Sequence, residues 1–250
     1  MNSALAEVLT RPDIWRGDQI AVAPAPTLSS GFARLDAELP GGGWPRGQLT
    51  ELLSQQGGIG ELSLLLPALA ALTAAGETVA LIAPPYALHA PAWAAAGIRL
   101  DALCLVFPQR ARDGLWAAVQ ALRCGGVAAT LAWLDGSGRD SLPQNSVRRL
   151  QVAAGEGSGC AFLMRPPALV AVSSPAPLRL HLEPAGQRLK VNLLKRRGAP
   201  ARQPLWLDIP RPWRALRRVD AVPDSIPVHA VADAGFSRTA ALHQRSPAIL

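Results

Sequence analysis

From residue 48 to residue 164 the chain alternates short apolar runs with longer segments in which apolar and polar positions mix. The runs at 48–53, 79–83, 103–107, 128–134 and 160–164 have the length of buried strands. The segments between them at 62–76, 90–97, 113–123 and 146–154 have helical length and spacing. Alternation of this kind predicts right-handed crossovers and a mainly parallel sheet covered on both faces. Segment 62–76 is almost wholly apolar and reads as a buried helix. Pro67 inside it predicts a kink or a late start, because proline has no N–H to donate and crowds the preceding turn.

Beyond Pro177 the rhythm changes. Runs at 178–182, 188–194 and 205–209 predict a strand meander, with Pro184-Ala185-Gly186 turning the first two into an antiparallel hairpin. Toward the start, 3–9 suits a short helical turn, a Pro-Ala linker leads to Pro26, and 27–39 reads as a capped helix with Phe32, Leu35 and Leu39 on its apolar side. A turn follows at 41–47. From Pro210 onward the chain is rich in Pro and Arg and has little periodicity. The expected organisation is an N-terminal arm and linker (1–26), one α/β core (27–209) and a basic, Pro-rich C-terminal tail (210–250), with no internal repeat.

Composition narrows the class. Of 250 residues 49% are apolar, enough for a real core, while 22 Gly and 23 Pro require long stretches of loop or tail. The 15-residue, mostly apolar run at 62–76 falls short of the ~20 residues needed to cross a bilayer. The start Met1-Asn2-Ser3-Ala4 lacks the basic stretch of a signal peptide. Three cysteines without paired spacing argue against a disulfide scaffold or a Cys-rich zinc site. A reducing, cytoplasmic setting is expected. The net charge of +7 is uneven: residues 1–100 carry 5 basic and 8 acidic side chains, and residues 176–250 carry 13 and 5. A basic C-terminal third suits either nucleic acid or an acidic protein surface, or is simply solvated.

A strand at 48–53, a glycine-bearing loop at 54–60 and a helix from 61 occupy the place of a phosphate-binding P-loop. That motif needs a Lys to neutralise phosphate and a hydroxyl to hold magnesium after its second glycine. Here the loop reads Gly57-Gly58-Ile59-Gly60-Glu61-Leu62, which puts Glu61 at the lysine position and Leu62 at the hydroxyl position. No Lys occurs before residue 190. A carboxylate there repels a triphosphate. No other constellation carries chemistry: His89, His181, His229 and His243 lack metal-ligand spacing, and no nucleophile elbow is present. Cys104, Cys124 and Cys160, with Trp93, Trp116 and Trp133, lie in core-like segments and are expected to be buried.

Several stretches resemble the RecA family. They are Thr27-Leu28-Ser29-Ser30-Gly31-Phe32 with Leu35-Asp36, Gly43-Trp44-Pro45-Arg46-Gly47 and Glu51-Leu52 at the opening. Leu103-Cys104, Pro108 and Ala121-Leu122-Arg123-Cys124-Gly125 come next, then Leu178-Arg179-Leu180, Arg188-Leu189-Lys190-Val191 and Ala199-Pro200. The replaced loop and Trp15-Arg16-Gly17-Asp18 are similar to the ImuA family of RecA relatives. The resemblance implies a RecA-like three-layer core with a degenerate P-loop. It places Pro85 where RecA proteins carry the catalytic glutamate, Trp133 or Asp135 at the magnesium-linked aspartate, and Arg165 at the nucleotide-sensing glutamine. The two DNA-binding loops fall at 136–145 and 165–177, both short. Lys195, Arg196 and Arg197 lie near the position from which RecA proteins reach into a neighbour's nucleotide site.

The function that the resemblance implies is that of a non-catalytic accessory protein of damage-induced (SOS) translesion synthesis, without cofactor or metal. Its implied partners are ImuB, RecA and a DnaE-type translesion polymerase, with weak DNA contact and nucleoid association on damage as further possibilities. The alternatives are a SulA-like inhibitor of cell division and a weak residual NTPase. The partner-binding candidates are Trp206, Arg211, Trp213, Arg214, Arg217 and Arg218, an Arg–aromatic surface on a tail expected to order on a partner.

Overall fold

A computed structural model describes residues 26–55, 60–134, 145–201 and 203–209. All of them fall in one compact unit. The expected arm at 1–25 and tail at 210–250 lie outside the described residues.

The main sheet has eight strands. They are β3 (Leu49–Ser54), β4 (Thr78–Ile82), β5 (Leu103–Val106), β6 (Val127–Trp133), β7 (Cys160–Arg165), β8 (Leu178–Ala185), β9 (Arg188–Lys195) and β10 (Leu205–Asp208), in the order β10-β9-β8-β3-β7-β6-β4-β5. The pairs from β8 through to β5 are parallel, and β8–β9 and β9–β10 are antiparallel. This is the mainly parallel sheet with antiparallel closing strands that the apolar pattern predicts. A separate two-stranded ribbon joins β1 (Thr27–Leu28) to β2 (Trp44–Pro45).

Helices cover both faces, as long apolar strands require. On one face α2 (Glu61–Ala74) and α3 (Ala90–Ala95) press Leu64, Leu65, Leu69 and Trp93 onto Leu52, Leu81, Leu131 and Phe162. On the other, α4 (Ala111–Arg123) and α5 (Ser146–Glu156) press Leu115, Ala118, Leu150 and Ala153 onto Ala80, Ile82, Ala132 and Leu163. Strand β3, central in the sheet, is buried along its whole length.

Three expectations need correction. Segment 27–39 is not one helix: after β1 it turns, and α1 spans only Ala33–Asp36. Asp36 is the reason. Its carboxylate accepts hydrogen bonds from Ser29 Oγ (2.7 Å) and the Ser30 N–H (2.8 Å), which holds the two serines in a turn. Gly31 makes that turn with φ of 82°, and a Cβ there would overlap the side chain of Pro67. Pro67 neither delays nor ends α2, which runs through it from Glu61. The hairpin turn sits later than Pro184: β8 continues to Ala185, and Gly186, with φ of 64°, opens the reversal into β9.

Candidate functional site

The junction of β3 and α2 is where a phosphate cradle would form. Gly60 precedes α2 in the left-handed region, with φ of 101°, and no side chain caps the helix. Glu61 is the first helical residue, so its carboxylate sits at the positive end of the helix dipole, an arrangement worth about 0.3–1 kcal/mol. Its Oε2 is buried and has no hydrogen-bond partner among the described residues. Leu62 is partly buried against the α2-side core. Gly57 and Gly58 lie outside the described residues. The helix end that would attract an anion thus already carries one of the chain's own. Pro85 is exposed in the loop after β4, and Trp133 packs partly buried at the end of β6. Asp135 lies outside the described residues.

Arg165, at the end of β7, is committed elsewhere. It donates through Nη1 to Oε1 of Glu51 at 3.1 Å. Arg179 on β8 donates through Nε to Oε2 of the same carboxylate at 2.5 Å and through Nη2 to the Leu169 carbonyl at 2.9 Å. Glu51 is fully buried on β3, directly between these two strands. One carboxylate therefore holds two guanidinium groups, and Arg165 Nε is left buried without a partner among the described residues. The ladder explains the meeting: Glu51 is in register with Leu163 and Arg179, and Arg165 lies two residues further along β7 on the same face. Glu51 and Arg179 both belong to RecA-like stretches of the sequence, but motif comparison does not join them. The available signal was an ionisable residue within the run Leu49-Thr50-Glu51-Leu52-Leu53, which needs a buried partner of opposite charge.

The triad also fixes the segment beyond β7. Residues 166–177 include no charged side chain and begin with a short turn at Pro167–Leu169. Arg179 ties the Leu169 carbonyl, and Lys195 Nζ ties the Ser174 carbonyl at 2.9 Å. Arg196 is similarly occupied: Nη1 meets the Glu38 carboxylate at 2.6 Å and Nε meets the Ala199 carbonyl at 2.6 Å. Of the three basic candidates only Arg197 is exposed with no ion pair or hydrogen bond among the described residues. Trp206 is on β10 and 43% exposed. Arg211, Trp213, Arg214, Arg217 and Arg218 lie outside the described residues.

The remaining candidates divide. Trp93 is buried as expected, but Trp116 is 63% exposed on the outer side of α4. Cys160 is buried, whereas Cys104 and Cys124 are exposed. Cys104 lies on β5, the sheet's edge strand, and Cys124 caps the end of α4, so neither is enclosed by neighbours. Burial pushes the Cys160 thiol up to about 12. Since the thiolate is the reactive form, a thiol reagent near neutral pH is expected to label Cys104 and Cys124 in the native protein and Cys160 only after unfolding. Native labelling of all three at one rate would contradict this placement. Among the described residues no group of His, Cys, Asp and Glu is arranged to hold a metal ion, and no helix is long and apolar enough to cross a membrane.

No family model matches the chain. It is similar to RecA proteins: 32% identical over 130 residues to that of Borrelia hermsii, covering 49% of this chain and 36% of the relative. The RecA protein of Borrelia turicatae is 30% identical over 129 residues, covering 49% and 35%. That of Listeria welshimeri is 36% identical over 102 residues, covering 40% and 29%. The chain thus matches about a third of the length of these curated relatives. The similarity and the sheet together give a RecA-like α/β core.

Proposed function

We propose that this RecA-like chain is a non-catalytic accessory protein of SOS-induced translesion DNA synthesis. In this reading it works by contact with ImuB, RecA and an error-prone DnaE-type polymerase. The observation that carries the reading is Glu61, the first residue of α2, whose buried carboxylate oxygen has no partner among the described residues at the helix end where a nucleotide's phosphates would need cations and N–H groups. Two further features support it. Pro85 has no group to activate water, and Arg165 is held by Glu51, which leaves it little freedom to sense a γ-phosphate. A core that keeps its sheet and surfaces while offering no phosphate cradle serves best as a platform for other proteins.

Two measurements test this. Titration calorimetry with Mg-ATP at micromolar protein is expected to show no heat of binding, because lost charge pairing removes a large share of phosphate affinity. A micromolar Kd would overturn the non-catalytic reading and favour the residual NTPase. Addition of the purified protein is expected to reduce RecA-driven strand exchange, and the protein is expected to co-sediment with RecA or ImuB. Unchanged exchange together with no binding to either would overturn the accessory role.

A further inference from the structure

The N-terminal end of β10 opens onto a cleft of about 420 Å³ between α1 and the segment that links β9 to β10. Arg34 and Arg196 stand on its walls, and Pro200, Pro204 and Leu205 supply an apolar side. Arg196 is already neutralised by Glu38. Arg34 is exposed and has no hydrogen bond or ion pair among the described residues, and Arg197, next to Arg196 along the chain, is in the same condition. Arg34 therefore keeps unspent positive charge on the cleft wall beside an apolar side, and Arg197, which does not itself line the cleft, adds a second charge one residue from its lining. It also continues into a sheet edge: β10 pairs with β9 on one side and has no strand on the other among the described residues. Trp206, on the face of β10 opposite the buried Leu207, is exposed beside that edge.

We infer that this cleft and edge bind an extended acidic segment of another protein. The segment's backbone would extend the sheet along β10, its carboxylates would pair with Arg34 and Arg197, and an apolar side chain between them would lie on Pro204 and Leu205. Charge selects this occupant. The chain's own residues 210–250 carry six Arg and three Asp, so they are repelled by the same arginines. Nucleic acid is disfavoured because an open strand edge offers backbone N–H and C=O groups at the spacing of a peptide chain, and because Pro200, Pro204 and Leu205 give the cleft an apolar side that suits a side chain and not a phosphate backbone. The inference goes beyond the accessory reading and stands whether or not the chain binds nucleotide, because no residue of the β3–α2 junction takes part.

The test uses the full chain and fluorescence anisotropy of a short labelled peptide of alternating Glu and Val. A Lys and Val peptide of equal length and a single-stranded oligo-dT serve as competitors. Saturable binding of the acidic peptide is expected, with about a tenfold or greater loss in the double variant Arg34→Glu/Arg197→Glu. Both residues are exposed and make no polar contact among the described residues, so the urea midpoint of that variant is expected to match the parent, which separates lost binding from lost fold. The single variant Trp206→Ala is expected to weaken binding without abolishing it. Absence of binding, equal binding of the basic peptide, or affinity unchanged in the double variant would overturn the proposal. Displacement by oligo-dT at physiological salt would also overturn it, in favour of a nucleic-acid groove.

Discussion

Replacing Glu51 with alanine is expected to cost about 3–5 kcal/mol, because it leaves the buried guanidinium of Arg179 and the largely buried one of Arg165 without their shared carboxylate. Arg179 has an 8% exposed side chain and Arg165 a 17% exposed one, so neither can recover its hydration by a small movement. Against a total stability of about 5–15 kcal/mol for a domain, this loss approaches the margin of folding. Urea denaturation followed by circular dichroism reads it as a lowered midpoint. The variant Glu51→Gln keeps the shape and one acceptor and is expected to lose less. Replacing the whole group by apolar residues of similar size (Glu51→Leu, Arg165→Met, Arg179→Leu) is expected to recover most of the loss, since a buried ionic cluster contributes little beyond what packing can supply. A change of under about 1 kcal/mol for Glu51→Ala would show that the arginines find other partners. The triad would then no longer count as the anchor of segment 166–177.

Truncating Phe162 to alanine is expected to cost a similar amount, about 3–5 kcal/mol. Phe162 is 2% exposed on β7 and meets Trp44 edge-on, with ring centroids 5.3 Å apart and planes at 89°. Such a pair is worth about 0.5–1.5 kcal/mol beyond its buried area. The contact also ties the β1–β2 ribbon to the main sheet, because Trp44 belongs to β2. Thermal unfolding compared with Trp116→Ala gives the contrast. Trp116 is mostly exposed on α4, and its loss is expected to change stability by no more than about 0.5 kcal/mol. Equal destabilisation by the two would mean that Trp116 is covered in solution.

The layered α/β core was legible because it rests on local pattern. The strand runs differ from the elements by one or two residues at their ends, except that β8 runs three residues beyond the run at 178–182, and the helices over Glu61–Ala74, Ala111–Arg123 and Ser146–Glu156 were readable from spacing and length alone. Segment 27–39 misled for a physical reason. Its apolar spacing is helical, but Ser29, Ser30 and Asp36 bind one another and hold the backbone in a turn, a competition that periodicity does not register. Cys104 and Trp116 misled because an apolar neighbourhood in sequence says nothing about whether a strand lies at the sheet's edge or on which side of a helix a large ring points.

The candidate site divides along the same line. Residue types at a loop are a matter of sequence, so Glu61 and Leu62 after Gly60, Pro85 beyond β4 and the basic run Lys195-Arg196-Arg197 could be read directly. The use of those side chains was set in three dimensions. Glu51 meets Arg179 across 128 positions of chain and Arg165 across 114, and Arg196 meets Glu38 across 158, distances over which neither period nor composition carries information. Short-range pattern was enough to establish the layered core and the chemistry offered at its loops, because strands, helices and loop residue types are written in neighbouring positions. The folded chain was needed to show which charges are spent inside the protein and which, such as Arg34 and Arg197, have no partner among the described residues, because pairing between distant side chains depends on strand order and register.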